Sequence, residues 1–473
     1  MFWKTSSQKS AKVGFEGHDG GRKRQDKLVT AHFMLGNTYP YTEADWQENF
    51  QAAEETGIDA FALNLGPEDW QTEQARSAYR ICAARQQEHG ADSDPAFKLF
   101  LSLDMNVLPS DTRDDMDKLV QLVDELGNMD CQLTVSRAHA SDAIWVEDED
   151  GSTRKIVLST FGGGQASFGG DGWQGFLQEC KQRGLNIYFI PAFFLPPQTI
   201  LDMPFVDATF DWNSGWPEGN DTISTESDQV FLHDDRPYMA AISPGFFTHY
   251  GTTGPWAWNK NWIYRSDDNL YASRWQQILD PSFDPDFVQI ISWNDYGESH
   301  YIGPIMGAQP GSEAWTRNRD HTAWRILTKY LVRKFKGISD PDSENLEVWL
   351  TYRTHPKDLV IAGDPVGRPE RADFAQDVVS VAILLPEKHS KSSWSIKIEA
   401  GKDDQFERKV RLDRTVQLQT FLVPFGPGDV SFKVKQDRKT VLEGKGARIE
   451  NDARRILSYN FNAWTGHWTS QIR

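Results

Sequence analysis

The sequence is poor in cysteine and has no long apolar run. Three cysteines, Cys82, Cys131 and Cys180, occur among 473 residues, too few for a disulfide framework. No segment approaches the roughly 18 consecutive apolar residues that a membrane-spanning helix needs. Neither a Cys-x-x-Cys pair nor a His-Glu-x-x-His motif is present, and a G-x-x-x-x-G-K phosphate loop is missing. We therefore expect no metal site and no bound cofactor.

Positive charge is also scarce relative to negative charge. The chain has 50 Lys and Arg against 68 Asp and Glu, a net charge of −18. Such a surface repels phosphate backbones, so nucleic acid and anionic membranes are excluded as expected partners. Aromatic residues are abundant at 12%, with 18 Trp against 8 Met. Trp side chains either fill a core or stack on flat apolar faces such as those of sugars, and composition does not distinguish the two.

Residues 1–26 are polar, rich in Gly, Lys and Arg, and lack the apolar stretch of a secretory signal. We expect them to form a disordered polar leader. This leader is compatible with an intracellular protein and also with a chain whose natural start differs. The sequence does not indicate an oligomer, and we expect a monomer.

Eight short apolar runs follow the leader, and each is followed by a helical pattern or a loop. Near-continuous apolar strands of this kind are typical of a parallel sheet buried on both faces. Their number predicts a closed (β/α)8 TIM-type barrel over residues 27–338. The predicted strands are 27–36, 58–65, 98–105, 155–161, 186–194, 207–212, 238–243 and 287–293.

The pattern changes after residue 341 to short alternating strands separated by Gly, Pro and charged turns. The predicted strands are 346–352, 378–385, 394–400, 415–423 and 430–434, with two more near 440–442 and 455–461. This pattern predicts an antiparallel β-sandwich over residues 343–473. Trp394, Trp464 and Trp468 would suit either a carbohydrate-binding surface or packing against the barrel, and we expect packing.

Active sites of such barrels lie at the carboxyl ends of the strands, so residues at those ends are the candidate site. They are acids, amides, histidines and aromatics with scarcely any Lys or Arg, a set that suits a neutral, polyhydroxylated substrate. Carbohydrate is therefore the predicted substrate class. The predicted substrate contacts are His32, Asn64, Asp211, Trp212, Trp216, His249, Tyr250, Trp293, Tyr296 and His300.

Asp295 and Glu298 form the most specific pattern, because both follow the eighth strand in an aromatic-rich loop. Glycoside hydrolysis needs one carboxylic acid to protonate the leaving oxygen and a second carboxylate as base or nucleophile. Asp104 ends an apolar strand, where an ionised acid needs a partner or a function. It is predicted to be either a third essential carboxylate or a structural hydrogen-bonding group.

Four segments of the chain are distinctive: AHFMLGN at 31–37, GIDAFALN at 57–64, DWNSGWP at 211–217 and SWNDYGESHYIGP at 292–304. Together they resemble glycoside hydrolase family 71, the fungal endo-α-1,3-glucanases or mutanases. The resemblance extends from residue 27 to the end of the chain. It implies cofactor-free endo-hydrolysis of α-1,3-glucan with inversion, and an extracellular or cell-wall location, although the leader departs from the signal peptide of many members.

The resemblance also implies that the catalytic acids lie in the stretch matching 295–298. Glu298 is assigned as the general acid and Asp295 as the base that activates water, and the reverse assignment stays open. Two alternatives to this function remain. One is an inactive glucan-binding protein, and the other is a barrel glycosidase that cleaves a different linkage.

Overall fold

The computed structural model describes residues 27–89, 97–135, 155–217, 219–264, 269–339, 344–387 and 392–471. The predicted leader 1–26 lies outside these ranges.

All eight predicted strands of the first region are present and lie parallel in one sheet. From one edge to the other the order is β6, β5, β3, β2, β1, β11, β8 and β7, and a short ninth strand, β4, pairs antiparallel with β5. The strands are β1 (Leu28–Met34), β2 (Ala60–Leu65), β3 (Lys98–Asp104), β4 (Thr134–Val135), β5 (Lys155–Phe161), β6 (Ile187–Ala192), β7 (Thr209–Asp211), β8 (Tyr238–Ile242) and β11 (Phe287–Ile290).

Both faces of this sheet are buried, which explains the unbroken apolar runs. Along β2, Ala60 and Ala62 contribute to one buried cluster, whereas Phe61 and Leu63 contribute to another that packs against the helices. Successive side chains of a strand point to opposite faces, so both halves of the alternation must be apolar when neither face meets water.

The helices lie between successive strands and cover the outer face. The first begins at Thr42, whose hydroxyl accepts from the Asp45 amide while the Asp45 carboxylate accepts from the Thr42 amide. Among the described residues, none of these helices has the length and apolarity needed to cross a membrane. The helices are α1 (Glu43–Thr56), α2 (Asp69–His89), α3 (Arg113–Gly127), α4 (Gly172–Gln182), α5 (Pro197–Leu201), α6 (Glu226–Leu232), α7 (Leu270–Ile278), α8 (Glu313–Thr316) and α9 (Thr322–Lys336).

The sheet curls so that its two outermost strands approach each other. The backbone amides of Asp207 and Ala208, just before β7, donate to the carbonyl of Phe189 in β6 at 3.0 and 3.4 Å. The Asp207 carboxylate also accepts from the Phe189 amide. The parallel strands therefore form a strongly curved half-barrel whose edges touch at this point.

The C-terminal region contains two four-stranded antiparallel sheets with a shared core. The first has the order β16, β13, β12, β19 and the second β15, β14, β17, β18. Their buried side chains belong to one cluster. The strands are β12 (Asn345–Tyr352), β13 (Val378–Leu384), β14 (Trp394–Ala400), β15 (Glu407–Leu412), β16 (Leu418–Pro424), β17 (Val430–Gln436), β18 (Lys439–Lys445) and β19 (Trp464–Gln471).

One predicted strand is wrong, because residues 455–461 do not join either sheet. The apolar side chains there, including Tyr459 and Phe461, pack instead against a cluster that contains Phe247 and Tyr250 of the first region. The last strand is β19, and β15 was not predicted because its residues are mostly charged.

A hairpin joins the two regions. It consists of β9 (Phe246–Tyr250) and β10 (Lys260–Tyr264) in the connection after β8, where the sequence suggested only an extension of the seventh strand. The backbone of Glu370, from the C-terminal region, accepts from Ile263 and donates to Asn261 at 3.2 and 2.9 Å. The C-terminal region thus supports a loop that belongs to the carboxyl-end face of the parallel sheet.

Candidate active site

The loop after β11 holds the two predicted catalytic acids in fixed positions. Ser292 Oγ accepts from the Asp295 amide at 2.9 Å and bonds to His300 Nδ1 at 2.9 Å. The Asp295 carboxylate accepts from the Glu298 amide at 3.1 Å, and His300 Nε2 lies 3.1 Å from Glu298 Oε2. Three of the side chains that the sequence grouped, Asp295, Glu298 and His300, are therefore brought together by local bonds.

The two acids have different electrostatic surroundings. Burial, with the negative charge of Glu298, raises the pKa of Asp295 to about 6. Burial also acts to raise the pKa of Glu298, but the hydrogen bond and charge of His300, together with Lys260, hold that pKa below its ordinary value. Lys260 Nζ lies 3.8 Å from Glu298 Oε1. Of the two acids, Asp295 therefore retains its proton to a higher pH than Glu298 does.

Asp104, at the end of β3, interacts electrostatically with Glu298 and Lys260. Burial is the main cause that raises its pKa to about 6, with a smaller contribution from the charge of Glu298, while Lys260 acts in the other direction. Asp104 Oδ1 accepts from the Asn106 amide at 3.2 Å. This mutual influence places the third predicted acid within electrostatic reach of Glu298 and Lys260.

Four of the predicted substrate contacts have buried polar atoms that find no hydrogen-bond partner within the described residues. They are His32 Nδ1, Asn64 Nδ2, Trp216 Nε1 and Tyr250 OH. Buried polar groups in native proteins are nearly always satisfied, so such a group at a strand end is suited to bond a ligand. Burial, with a smaller electrostatic contribution from the neighbouring His300 ring, lowers the pKa of His32 to about 3, so the His32 imidazole is neutral.

Aromatic rings connect these polar groups. Trp216 stacks on His300 with ring centroids 5.8 Å apart, and Trp212 meets His32 edge-on at 4.8 Å. Trp212 and Asp211 also line a cavity of about 280 Å³ at the ends of β6 and β7. Burial is the main cause that raises the pKa of Asp211 to about 6. These five predicted residues lie at the carboxyl-end face, as expected from the barrel rule.

Gly297 lets the hydroxyl of Tyr250 approach the catalytic loop. A Cβ at position 297 would lie 2.7 Å from Tyr250 OH and 3.5 Å from Asp295 Oδ1. Any larger residue there would push the phenol away. The hairpin and the β11 loop are therefore packed closely at this position.

Trp293, Tyr296 and His249 are not placed to contact a substrate, contrary to the sequence expectation. Trp293 is fully buried in the helix-facing core and donates to Asn49 at 2.7 Å, because it points to the outer face of the sheet. Tyr296 is fully buried and donates to the Pro304 carbonyl.

His249 has both ring nitrogens occupied. They lie 2.8 Å from Asn261 Oδ1 and 2.9 Å from Asp364 Oδ2, and Asp364 belongs to the C-terminal region. His249 therefore joins the hairpin to that region instead of facing the site.

Lys260 is the residue that sequence reasoning missed, since a lining nearly without cations was expected. It begins β10, and the alternating sequence KNWIY was the available signal for a second hairpin strand.

The described residues contain one group that could hold a metal ion. It consists of Asp295, Glu298 and His300, each of which has one ligand atom within 4.8 Å of those of the other two. These three could ligate a divalent ion only if His300 gave up its bond to Glu298, and the expected absence of a metal stays a prediction.

Comparison with known proteins identifies the family of the chain. The family model described as glycosyl hydrolase family 71 matches residues 25–472. The chain is 34% identical over 457 residues to the glucan endo-1,3-alpha-glucosidase agn1 of Schizosaccharomyces pombe, covering 93% of this chain and 94% of that protein. It is 33% identical to a mutanase of Penicillium rubens, covering 93% and 89%.

Among solved structures, the GH99 endo-alpha-mannosidase of Bacteroides thetaiotaomicron aligns with a TM-score of 0.43 at 10% identity, over 66% of this chain and 98% of that chain. The match of the family model over nearly the whole length decides the classification. The chain belongs to glycosyl hydrolase family 71.

Proposed function

We propose that this protein hydrolyses internal bonds of α-1,3-glucan with a pair of carboxylic acids. The observation that carries the proposal is the convergence of Asp295, Glu298 and Asp104 at the carboxyl ends of β11 and β3. Glycoside hydrolysis requires a protonated acid and an ionised carboxylate at the same bond. The relatives named for hydrolysis of endo-1,3-alpha-glucosidic bonds supply the linkage. His32, Asn64, Trp216 and Tyr250 would bond sugar hydroxyls, and Trp212 and Asp211 would border them.

The roles within the pair follow from their charge states. A general acid must hold a proton at the working pH, whereas a base must be ionised. The raised pKa of Asp295 and the lowered pKa of Glu298 favour Asp295 as the acid and Glu298 as the base. This is the reverse of the assignment preferred from the sequence, and it is the assignment we propose.

The stereochemistry is a separate question. One carboxylate oxygen of Asp295 and one of Glu298 lie within 4.8 Å of each other. Inverting pairs separate their carboxyl groups by about 6.5–9.5 Å and retaining pairs by about 5–5.5 Å. Proton NMR of the first product anomer distinguishes the implied inversion, which releases the β-anomer, from retention, which releases the α-anomer.

The architecture that we propose for this reaction is a closed eight-stranded barrel over 27–338 and a β-sandwich over 343–473, preceded by the leader 1–26. The backbone bonds from Asp207 and Ala208 to Phe189 support closure between β7 and β6. The protein would act as a monomer on the polysaccharide and on its oligosaccharides.

Reducing-end release from insoluble α-1,3-glucan tests the function. Asp295→Asn and Glu298→Gln should each lose about 10²-fold or more of the rate, because each removes a proton-transfer group. Asp130→Asn, an exposed acid far along the chain from both loops, serves as the matched control and should keep the parental rate. A parent that binds the glucan without cutting it would favour the binding-protein alternative, and a parent that cuts only another glucan would refute the linkage.

A substrate with a fluoride leaving group tests the two roles. An α-1,3-gluco-oligosaccharyl fluoride needs no protonation on departure, so the acid variant should regain activity on it while the base variant should not. We expect Asp295→Asn to be the rescued variant. Rescue of Glu298→Gln instead would restore the assignment made from the sequence.

A further inference from the structure

Five exposed aromatic side chains lie in the segments that directly follow the parallel strands, four of them in loops and one in the first turn of α2. Among the large apolar side chains of the described residues, these are the aromatic ones that expose more than a third of their surface. Tyr39 follows β1, Trp70 follows β2, Phe194 follows β6, and Trp256 and Trp258 lie at the tip of the β9–β10 hairpin, after β8. Exposed apolar surface that is concentrated on one face of a protein marks a binding surface.

The strand order places two pairs of these rings on opposite sides of the catalytic loop. β11, which carries Asp295 and Glu298, lies between β1 and β8. Tyr39 and Trp70 approach each other on the β1 and β2 side, with ring centroids 6.2 Å apart. Trp256 and Trp258 approach each other at 5.4 Å on the β8 side.

The Trp256–Trp258 pair is held in place and is continuous with the acids. The Trp258 ring meets that of Tyr250 at 4.6 Å, and the Tyr250 hydroxyl touches the loop at Gly297, between the two acids. The Trp256 ring lies so close to Gly311, in the segment after β11, that a Cβ there would be 2.4 Å from it. The two rings are therefore exposed on one side and held in position by contacts with Tyr250 and Gly311 on the other.

We propose that Trp256–Trp258 and Tyr39–Trp70 are two sugar-binding platforms, one on each side of the acids, that stack on glucosyl units away from the bond being cleaved. Aromatic faces suit the apolar faces of pyranose rings and do not require charge, which matches a neutral polymer. The proposal rests on the proposed function for the identity of the polymer. It assigns the platforms to polymer binding and leaves the chemistry to the acids.

Sedimentation of the full chain with insoluble α-1,3-glucan tests the platforms without hydrolysis. The measurement uses Glu298→Gln as the background, with Trp256→Ala/Trp258→Ala and, separately, Tyr39→Ala/Trp70→Ala. Each double variant should weaken binding about tenfold, which corresponds to one lost aromatic contact of ordinary strength. Trp256→Phe/Trp258→Phe keeps an aromatic face at both positions and should retain most of the binding.

The control variant is Val416→Ala, which truncates an exposed apolar side chain of the C-terminal region and should bind like the background. Undiminished binding in both double variants, with parental thermal unfolding, would overturn the platforms even if the parent cuts α-1,3-glucan. Weakened binding would support them even if the parent releases no sugar, an outcome that would refute the proposed function alone. A loss shared equally by the Phe variant would show that the aromatic surface is not what binds.

Discussion

The two regions of the chain differ in where they keep their aromatic side chains. The five exposed aromatics all lie in 27–339, whereas in 344–471 the exposed large apolar side chains among those described are the aliphatic Val360, Val416 and Leu457. Trp394 is buried, and Trp464 and Trp468 are half-buried against the same core. A sugar-binding surface needs accessible rings, so this difference supports placing the proposed platforms on the segments that follow the parallel strands. The C-terminal sheets then serve as a support for the hairpin.

Removal of one partner of a buried ion pair gives the largest expected effect on stability. Arg274 forms a bidentate pair with Asp228 at 2.7 and 2.8 Å, and both side chains are completely buried in the first region. Arg274→Met should lower the free energy of unfolding by about 3–5 kcal/mol, because it leaves the Asp228 carboxylate buried without its cationic partner. Chemical denaturation measures this loss. Arg76→Met breaks an exposed pair with Glu125 and should cost within about 1 kcal/mol; equal losses would contradict the argument.

Asp104→Asn should lower the activity of the protein while it raises the stability of the fold at neutral pH. We expect glucan hydrolysis to fall about 100-fold, as for other groups that assist proton transfer. Because burial raises the pKa of Asp104 to about 6, its protonated form stabilises the folded state, and that contribution is lost as the pH rises from about 4 through 6.

At pH 7.5 the neutral amide should therefore be more stable than the parent by about 1–2 kcal/mol, and the gain should vanish near pH 4. Thermal unfolding at the two pH values measures the difference. A variant that is less stable at both pH values would show that Asp104 has a structural hydrogen-bonding role instead.

The next largest effect on activity is expected from the bond between His249 and Asp364, which joins the two regions. His249→Gln or Asp364→Asn should reduce kcat/KM on glucan about tenfold, because the hairpin that carries Tyr250 and Lys260 loses a buried charged hydrogen bond worth about 1.5–3 kcal/mol. The double variant should lose little more than either single one, since the two side chains share one interaction. Glu370→Ala is the control, because Glu370 bonds the hairpin through its backbone. Additive losses would indicate that the two residues act separately.

Trp468→Ala gives the smallest functional effect and tests the comparison directly. Trp468 packs at 5.0 Å on Phe432 within the C-terminal core, so its removal should cost about 2 kcal/mol of stability, roughly half of a fully buried Trp. Sedimentation with α-1,3-glucan should be unchanged. Weakened glucan binding together with parental stability would show that the C-terminal region also binds glucan, and would contradict the difference drawn here between the two regions.

The eight strands of the parallel sheet were predictable because burial on both faces demands continuous apolar runs. β15 was not, since its sequence ERKVRL lies at a sheet edge and stays largely exposed. Residues 455–461 misled the prediction because their apolar side chains serve a contact between regions and not a sheet. Apolar periodicity reports that a side chain is buried but does not report against what.

In the candidate site, too, some residues could be predicted from the sequence and others could not. Asp295, Glu298 and His300 could be grouped because they share one short loop, and Asp104 because strand ends converge. Trp293 and Tyr296 lie in the same segment yet face the helices and the loop interior. Lys260 enters the site from a hairpin, which no local spacing could place beside Glu298.

The sequence by itself determined the eight parallel strands, the family and the acids at the strand ends, because each is encoded in local periodicity or in a contiguous motif. The tertiary structure decided which aromatic rings are exposed, which histidine bonds an acid of the site, and how Lys260 and burial set Asp295 and Glu298 to different pKa values. These properties depend on distances between segments far apart in the chain and on the water that packing excludes, and neither quantity is local.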